Sequence, residues 1–546
     1  MFAPSRPSSR RTALIAGIAA TTVVLSGCVA HDGGDGSVTW ELTTQTTPPS
    51  GDIDSITWAS YAEPYSLDYA YAFDYADNQV LANICESLLR LNPDYSLSPG
   101  LADSFEHPTP LTWVYHIRDG VTFHDGTPLT ADDAVASMTR HIDPAVGSFW
   151  YSVYQNVASI EKTGDREVTV TTTIPDSQFN LGMGGSAGVI ESAATLTKLG
   201  ADYGNSTGGV NCTGPFEFEN WKAGESITLK RYDNYWDKDL RARSSEFTFV
   251  FMGDATTRIN ALKSGEVDGS WMIPMDAVPQ LRASGAGDVL FGLTTAVSDL
   301  VVSNMDGPLG DVRVRKALLM ALDRKGILKA AAAGIGDVTN VLTTESVWNS
   351  ASADARTKAF DGAKDYPYDL AAAKKLVEEA GAVGQKITLV TAPIGQDFAV
   401  ISQATVAAAK SIGLDATIQT VSPGVYTALF SDPSAREGVD LFYTVWYLSS
   451  PDPLEMYAVL RTGEFSNYGN WSNPDYDKIV TEAIGTDDPA ARSELTAQAQ
   501  LIANSELPWL PLSTAPMGVF MGNRVTGLAP SIAFLYYPWA ATLGAR

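Results

Sequence analysis

Hydrophobic and polar positions follow two different periods along this chain, which predicts a mixture of strands and helices. Apolar residues occupy every second position in residues 167–174 and again in 226–232, the pattern of half-buried strands. In residues 129–142 they return instead at helical spacing on one face. Thr130 followed three residues later by Asp133 forms a capping box, which places the start of that helix.

The balance of predicted elements changes between the two halves of the chain. Residues 112–123 alternate with period two and are interrupted at Asp119-Gly120, which predicts a β-hairpin. The second half contains Ala-rich helices, two of which begin after the capping residues Asp311 and Asp369. A strand-rich first half and a mixed second half indicate separate α/β lobes.

The N-terminus has the pattern of an export signal. Basic residues precede an apolar run at residues 12–25, which is shorter than the about 20 residues that a membrane-spanning helix needs. The run ends in Leu-Ser-Gly-Cys at Cys28, which resembles a bacterial lipobox. Residues 1–27 are therefore predicted to be a lipoprotein signal peptide, with Cys28 lipidated by diacylglycerol and palmitate; the alternative is a plain signal peptide with a chance cysteine. Residues 28–51, rich in Gly, Ser, Thr and Pro, are expected to be a flexible tether.

Composition and charge narrow the possible functions. The 546 residues, 45% apolar and 18% charged, suit a folded protein of two to four domains. Asp and Glu outnumber Lys and Arg by 63 to 37, for a net charge of -26, which argues against a nucleic-acid partner. After Cys28 only Cys85 and Cys212 remain. In an oxidising compartment this pair is expected to form a disulfide, the alternative being two buried thiols.

Five stretches in order resemble one known family. The clearest is WVYHIRDGVTFHDGTPLTADDAVASMTR, which is similar along its whole length to the signature of the peptide-type (family 5) solute-binding proteins of ABC importers. The five stretches are residues 113–140, 212–238, 254–269, 311–327 and 366–381. Because they occur in the family's order behind a lipobox, the chain is identified as resembling that family from about residue 52 to its end.

The resemblance implies an α/β, two-lobed, periplasmic-binding-protein-like (Venus-flytrap) fold with an extra subdomain in lobe one. Lobe one is expected to comprise residues 52–92, 177–296 and 511–546. The extra subdomain is expected at 93–176 and lobe two at 297–510. The lobes are hinged by crossing strands, so a ligand is expected to bind between them.

The same resemblance suggests residues for the second-lobe wall of the cleft. Residues 441–457 are similar to the family's cleft-lining stretch, in which Trp446 is expected to stack on the ligand. Peptide binders of the family have an aspartate three positions later that pairs with the ligand's α-amine, and this chain has Ser449 there. Asp452 is a candidate replacement, although Asp452-Pro453-Leu454-Glu455 is also typical of a helix N-cap.

In lobe one, Tyr61 lies at the end of the first predicted strand, where ligands collect in open α/β sheets. Trp271, which follows Val267-Asp268, is a second candidate for the cleft. The alternative for Tyr61 is an ordinary half-buried aromatic residue. Cys212 stands where the family usually has glycine, which supports its pairing with Cys85. The chain shows neither H-x-x-x-H nor C-x-x-C spacing, so no metal and no cofactor are expected.

The resemblance implies that the protein binds a solute and does not change it chemically. We expect a lipid-anchored binding protein on the outer face of the cell membrane, monomeric, that delivers oligopeptides or dipeptides to a separately encoded permease and ATPase. The alternatives are a non-peptide solute (an opine, an oligosaccharide or a metal-chelator) and an extracytoplasmic hydrolase. For the hydrolase, Ser186 lies in a G-x-S-x-G sequence, but no histidine follows it, so no catalytic residue is assigned.

Overall fold

The structure is a computed structural model that describes residues 30–31 and 38–546. Cys28 and the signal peptide predicted at residues 1–27 lie outside the described residues. The chain forms two lobes, each built around one mixed sheet, and a smaller antiparallel sheet attached to the first lobe. Within the part of the chain that the structure describes, no helix has the length and apolar composition needed to cross a bilayer.

The first lobe is built on a seven-stranded sheet. Its central strand, Ile53–Ser60, runs parallel to both neighbours, and the outer pairs are antiparallel. In spatial order the strands are Phe216–Lys222, Ser226–Arg231, Ser244–Phe251, Ile53–Ser60, Gly269–Trp271, Met517–Gly522 and Gly287–Gly292. The helices around this sheet are Tyr75–Leu81, Ala193–Leu199, Ala255–Ser264 and Val278–Ser284.

The second lobe is built on a six-stranded sheet with buried clusters on both faces. In spatial order its strands are Asp337–Val338, Trp509–Thr514, Val297–Val302, Leu441–Trp446, Lys386–Thr391 and Asp415–Thr420. Its helices are Val312–Ala321, Arg324–Ala332, Ala353–Asp361, Leu370–Glu379, Gln396–Ser411, Pro423–Ser431, Leu454–Ala458, Pro474–Ile484 and Pro489–Glu506. The predicted caps are confirmed, since Asp311 accepts from the Arg313 N–H and Asp369 from the Ala372 N–H.

The smaller sheet has four antiparallel strands. In spatial order they are Ala102–Thr109, Thr112–Ile117, Glu167–Thr172 and Val157–Gly164, and the helices packed nearby are Ala131–Arg140, Tyr151–Tyr154 and Phe179–Gly182. The capping box of Thr130 and Asp133 is confirmed. Short two-stranded sheets complete the fold: Leu89–Leu91 with Leu97–Pro99, Val525–Thr526 with Gly544–Ala545, and Ala30–His31 with Trp40–Glu41.

The hairpin predicted over residues 112–123 is wrong. The strand Thr112–Ile117 pairs with two other strands, so both of its edges are occupied before the chain reaches the turn. Gly120 does form that turn, with a φ of +74°. The residues after it are drawn into the core instead, since Val121 and Phe123 are buried there.

The chain crosses between the lobes twice, by adjacent connections. The strand ending at Gly292 lies in the first sheet and the next strand, which begins at Val297, lies in the second. The chain returns between Thr514 and Met517. Because both crossings are only a few residues long, relative movement of the lobes is concentrated there.

The N-terminal segment differs from the expected flexible tether over residues 38–51. Trp40 is only 6% exposed, and its ring centroid lies 6.1 Å from that of Phe291. The N–H of Thr43 donates to the carbonyl of Phe291 at 2.7 Å, and that of Thr46 to the carbonyl of Leu528 at 3.0 Å. A buried aromatic anchor and backbone hydrogen bonds therefore hold this segment on the first lobe despite its polar composition.

Candidate functional site

The second-lobe wall of the interlobe region is formed by the end of the strand Leu441–Trp446 and the loop after it. Trp446 is half-buried, and its ring centroid lies 5.2 Å from that of Trp509 at an interplanar angle of 79°. This edge-to-face packing holds the indole while part of its surface stays accessible. Tyr468 stacks on Trp509 and supports the same cluster.

The loop after Trp446 folds around the side chain of Glu455. Ser449 donates to one carboxylate oxygen from its N–H at 2.8 Å and from its hydroxyl at 2.9 Å. Ser450 donates to the other oxygen from its N–H at 2.7 Å and from its hydroxyl at 2.6 Å. Burial raises the pKa of Glu455, and the four hydrogen bonds oppose that rise.

Asp452 is occupied within the protein. Its carboxylate accepts from the Leu454 N–H at 2.9 Å, at the start of the helix Leu454–Ala458, and lies 3.0 Å from the guanidinium of Arg492. Both side chains of the ion pair are buried. These contacts agree with the structural alternative for Asp452, and its contact with a ligand stays a prediction.

The two first-lobe candidates, Tyr61 and Trp271, differ in how deeply they are buried. Tyr61 is half-buried and donates from its hydroxyl to Asp74 at 2.8 Å, and burial, with Asp74 next in effect, raises its pKa well above its usual range. Trp271 is only 2% exposed and stacks on Phe534 with ring centroids 4.3 Å apart. Trp271 thus belongs to the core of the first lobe, which corrects its expected place on the cleft surface.

Residues from both lobes meet at the loop that carries Ser449. The Tyr447 hydroxyl donates to the carbonyl of Phe73 at 2.6 Å, and its ring centroid lies 4.9 Å from that of Tyr75. A β-carbon built on Gly185 would lie 3.3 Å from the carbonyl oxygen of Ser449. These contacts place the Ser449 loop against the first lobe, where a solute would touch both halves.

The rim of the interlobe region is also in contact. The Ser177 N–H donates to the carbonyl of Ile484 at 2.9 Å. The ring of His107, which stacks on Trp113, lies 3.3 Å from the carboxylate of Asp487. The conformation described here is therefore one with the lobes brought together.

Glu455, Gly185 and Tyr447, which the structure brings to the Ser449 loop, are not singled out by any sequence pattern. From sequence alone, Glu455 is expected only in the first turn of a helix. The available signal was the pair of serines shortly before a glutamate in an aromatic segment, but the wrapping of the loop around the carboxylate depends on tertiary structure. Gly185 lies far along the chain from Ser449, and no local pattern connects them.

Cys85 and Cys212 form a disulfide, with their Cα atoms 4.9 Å apart. Both residues are buried in the first lobe. The bond joins the segment after the helix Tyr75–Leu81 to a loop 127 residues later. Among the described residues, no cluster of three or more His, Cys, Asp and Glu is arranged to hold a metal ion.

Two lobes linked by a pair of crossings, with aromatic residues from both sides meeting between them, define a binding protein of the periplasmic type. The model of "Bacterial extracellular solute-binding proteins, family 5 Middle" matches residues 96–468. The chain belongs to this family, as the sequence resemblance predicted.

Individual relatives are similar over most of the chain. The glutathione-binding protein GsiB of Escherichia coli K12 is 26% identical over 481 residues, which is 86% of this chain and 91% of GsiB. The periplasmic binding protein DppA of Helicobacter pylori, solved with the peptide STSA, has a TM-score of 0.80 at 21% identity, covering 91% of this chain and 98% of DppA. AgaA of A. tumefaciens R10, solved with agropinic acid, has a TM-score of 0.78 at 22% identity, covering 90% of this chain and 98% of AgaA. The predicted α/β, two-lobed fold is confirmed.

Proposed function

We propose that the protein captures oligopeptides or dipeptides between its lobes and delivers them unchanged to a permease whose transport is driven by a separately encoded ATPase. Membership of the family and the similarity to glutathione-binding proteins, whose name denotes a peptide ligand, support this proposal. The observation that carries it is the meeting of both lobes at the Ser449 loop beside the half-buried Trp446. A site between two lobes with aromatic residues and a few directed polar groups suits binding of a small solute.

Closure follows from the geometry of the site. A solute that touches Trp446 on one lobe and the region of Gly185 and Tyr75 on the other gains its full set of contacts only when the lobes are together. That difference in affinity shifts the open and closed populations, and a shift from 1:99 to 99:1 requires about 5.5 kcal/mol. The closed form is then the one that docks on the permease.

We further propose that the protein is a monomer, held at the outer face of the cell membrane by lipid on Cys28. The basic residues, apolar run and lipobox-like sequence at the N-terminus support this placement. The test is Cys28→Ser in the native host. The variant is expected in the soluble extracytoplasmic fraction, and recovery of both forms with membranes would contradict the anchor.

The binding proposal is tested by incubating the purified protein with a peptide mixture and identifying the retained and free species by mass spectrometry. Stoichiometric retention of intact peptides is expected. Appearance of cleaved peptides would favour a hydrolase, and retention of an opine or oligosaccharide from a cell extract in place of peptides would favour the non-peptide alternative.

The role of Trp446 is tested separately. Trp446→Ala is expected to weaken binding of a retained peptide at least tenfold, because the substitution removes the ring that contacts the ligand. Little change in the melting temperature is expected. Tyr368→Ala removes an aromatic side chain that is 55% exposed and serves as the control. Unchanged affinity in Trp446→Ala would remove that residue from the site.

A further inference from the structure

A histidine and an aspartate from opposite lobes meet at the rim of the interlobe region. His107 lies on the strand Ala102–Thr109 of the smaller sheet, and its Nε2 atom is 3.3 Å from the Oδ2 atom of Asp487 in the second lobe. The two side chains are partly covered, at 20% and 43% exposure. Among the described residues, the carboxylate of Asp487 has no other hydrogen-bond or ion-pair partner. Because the two residues belong to different lobes, their contact depends on how the lobes are placed.

The first lobe determines which ring nitrogen of His107 carries a proton. The Nδ1 atom lies 2.9 Å from the backbone carbonyl oxygen of Thr112. A carbonyl oxygen can only accept a hydrogen bond, so Nδ1 must be the donor. Trp113 holds the ring in this orientation by stacking, with ring centroids 3.7 Å apart and an interplanar angle of 12°. Since a neutral imidazole has a proton on one nitrogen only, Nε2 of the neutral ring is left with a lone pair.

The neutral form of His107 and the carboxylate of Asp487 are therefore mismatched. The lone pair of Nε2 faces a carboxylate oxygen, which is also only an acceptor. Adding a proton to Nε2 turns this contact into a charge-assisted hydrogen bond, while Nδ1 keeps its bond to the carbonyl of Thr112. The fully protonated ring is thus the form that satisfies both neighbours of His107.

The other acidic groups of the smaller sheet have partners of their own. On the strand that carries His107, Asp103 accepts from a neighbouring serine hydroxyl, and Glu106 lies 3.4 Å from the ring of His116. The ring of His116 also lies 3.7 Å from Glu167 on a neighbouring strand. Within the described part of the chain, only the acid of the second lobe is within ion-pair distance of His107.

The charged groups around Asp487 are occupied as well. Arg492 donates to two backbone carbonyls of this turn, one of them that of Asp487, and forms an ion pair with the buried Asp452. The carboxylate of Asp488 accepts from a backbone N–H in the first turn of the following helix. The charge of Asp487 is therefore left for a protonated His107.

We infer that His107 and Asp487 form a latch between the lobes that closes when the histidine ring takes up a second proton. The closed conformation then binds this proton more tightly than an open one, in which the two side chains are apart, so a fall in pH favours closure. The charge of a histidine ordinarily changes between about pH 5 and pH 8, so a modest change in pH is enough. The other rim contact, from the Ser177 N–H to the carbonyl of Ile484, contains no titratable group. The latch requires movement of the lobes and is independent of which solute they enclose.

The first test measures closure directly and needs no solute. Spin labels are attached at Glu161→Cys on the smaller sheet and Glu482→Cys on the second lobe, both exposed positions. The chain is the Cys28→Ser form, in which Cys85 and Cys212 are joined to each other. Pulsed electron paramagnetic resonance gives the distances between the labels at pH 8 and pH 5.5. The ratio of short to long distances is expected to rise about twofold to fivefold at the lower pH, the range for an ion pair between partly exposed side chains. Distances that do not change with pH would overturn the inference, whatever the protein binds.

Variants assign the response to its residues. His107→Gln and Asp487→Asn each remove one half of the latch and are expected to abolish the response to pH. The control is His116→Gln, because His116 also faces carboxylates, those of Glu106 and Glu167, but all three lie in the smaller sheet and do not move apart when the lobes do. If His107→Gln does not fold, Asp487→Asn gives the same comparison. A response that survives in Asp487→Asn, or that disappears in His116→Gln, would overturn the assignment.

Binding of a solute is expected to report the same proton. For the peptide that the protein retains most strongly from a mixture, the gain in affinity between pH 8 and pH 5.5 is expected to be about twofold to fivefold larger in the wild type than in Asp487→Asn. Calorimetry in buffers of different ionisation enthalpy measures the protons taken up on binding, and His107→Gln should take up fewer than the wild type. Equal uptake would overturn the inference. Retention of no peptide would overturn the binding proposal, and the spin-label distances would still decide on the latch.

Discussion

Two sets of buried acidic groups, one in each lobe, differ in how their charge is compensated. In the first lobe, Arg140 donates to both Asp68 and Glu191 at 2.9 and 2.8 Å, so two acidic groups share one guanidinium. In the second lobe, Asp299 lies on the central strand Val297–Val302, is fully buried, and has no hydrogen-bond partner on either oxygen among the described residues. Burial, helped at Glu191 by Asp68, raises the pKa of Glu191 to about 8, and burial alone raises the pKa of Asp299.

The cluster of Asp68, Arg140 and Glu191 is expected to stabilise the fold, whereas the buried Asp299 is expected to lower its stability. The shared arginine ties together segments far apart in the chain, since Asp68, Arg140 and Glu191 come from three different elements. Asp299 ties nothing together and lies opposite Thr444 on the strand that ends in Trp446. Removing a partner from the first group should destabilise the protein, and removing the charge of Asp299 should stabilise it.

The largest effect is expected at the shared arginine. Arg140→Met is predicted to lower the free energy of unfolding by about 4 kcal/mol, because the buried Asp68 loses its guanidinium partner and Glu191 loses a hydrogen-bond donor. Urea unfolding at pH 7 measures this, and Arg140→Lys, which keeps a charge but not the fork of donors, should lie between the two. A loss below about 1 kcal/mol in Arg140→Met would show that the cluster is not a true ion-paired network.

The disulfide sharpens the comparison, because it restrains the first lobe. Cys85→Ala with Cys212→Ala is predicted to lower the free energy of unfolding by about 3 kcal/mol, since the unfolded chain loses a long closed loop. Reduction of the wild-type protein should likewise lower the melting temperature. No shift on reduction, together with two titratable thiols, would contradict the bond.

At Asp299 the expected effect is smaller and opposite in sign. Asp299→Asn is predicted to raise the free energy of unfolding at pH 7 by about 2 kcal/mol, because a neutral amide of the same shape avoids the cost of burying an ionisable carboxyl group without a partner. The exposed Asp415→Asn on the edge strand Asp415–Thr420 of the same sheet is the control. A destabilised Asp299→Asn would mean that the carboxylate has a partner, such as a bound solute, which this conformation does not show.

The smallest predicted effect is on how the free energy of unfolding depends on pH. For both Glu191 and Asp299 the folded pKa lies above the unfolded value, so their contribution to stability is complete at low pH and is lost as the pH rises, for Glu191 through about 8. Glu191→Gln is predicted to change stability by about 1 kcal/mol or less at pH 5 and to flatten the decline between pH 5 and pH 8. Chemical unfolding at several pH values measures this, and an unchanged slope would contradict the raised pKa.

Features encoded within a few residues were predictable from sequence, and those that depend on distant segments were not. The capping residues Thr130, Asp311 and Asp369 act on N–H groups two or three positions away, so their roles follow from local order. The hairpin predicted over residues 112–123 is wrong because the strand at 112–117 pairs with residues 102–109 and 167–172. The composition of residues 28–51 predicts a flexible tether, but Trp40 is buried against the first lobe.

In the candidate site, too, local features were predictable from sequence and contacts between distant segments were not. The family resemblance located the Trp446 segment and the missing aspartate at Ser449, but the carboxylate of Glu455 reaches that loop only through a fold in the chain. Asp452 kept the structural role that its sequence allowed, and Trp271 was drawn into the core by Phe534, which comes from the other end of the chain. Tyr61 remains a candidate on the half-buried edge of the first lobe.

The docked N-terminal segment has a mechanical consequence. Besides its bonds to the first lobe, the N–H of Val38 donates at 3.1 Å to the carbonyl of Ala333, which follows the helix Arg324–Ala332 of the second lobe. The segment from Val38 to Thr46 therefore forms hydrogen bonds with both lobes. Separation of the lobes would have to stretch or break the hydrogen bond between Val38 and Ala333, whereas the contacts of Trp40, Thr43 and Thr46 would travel with the first lobe.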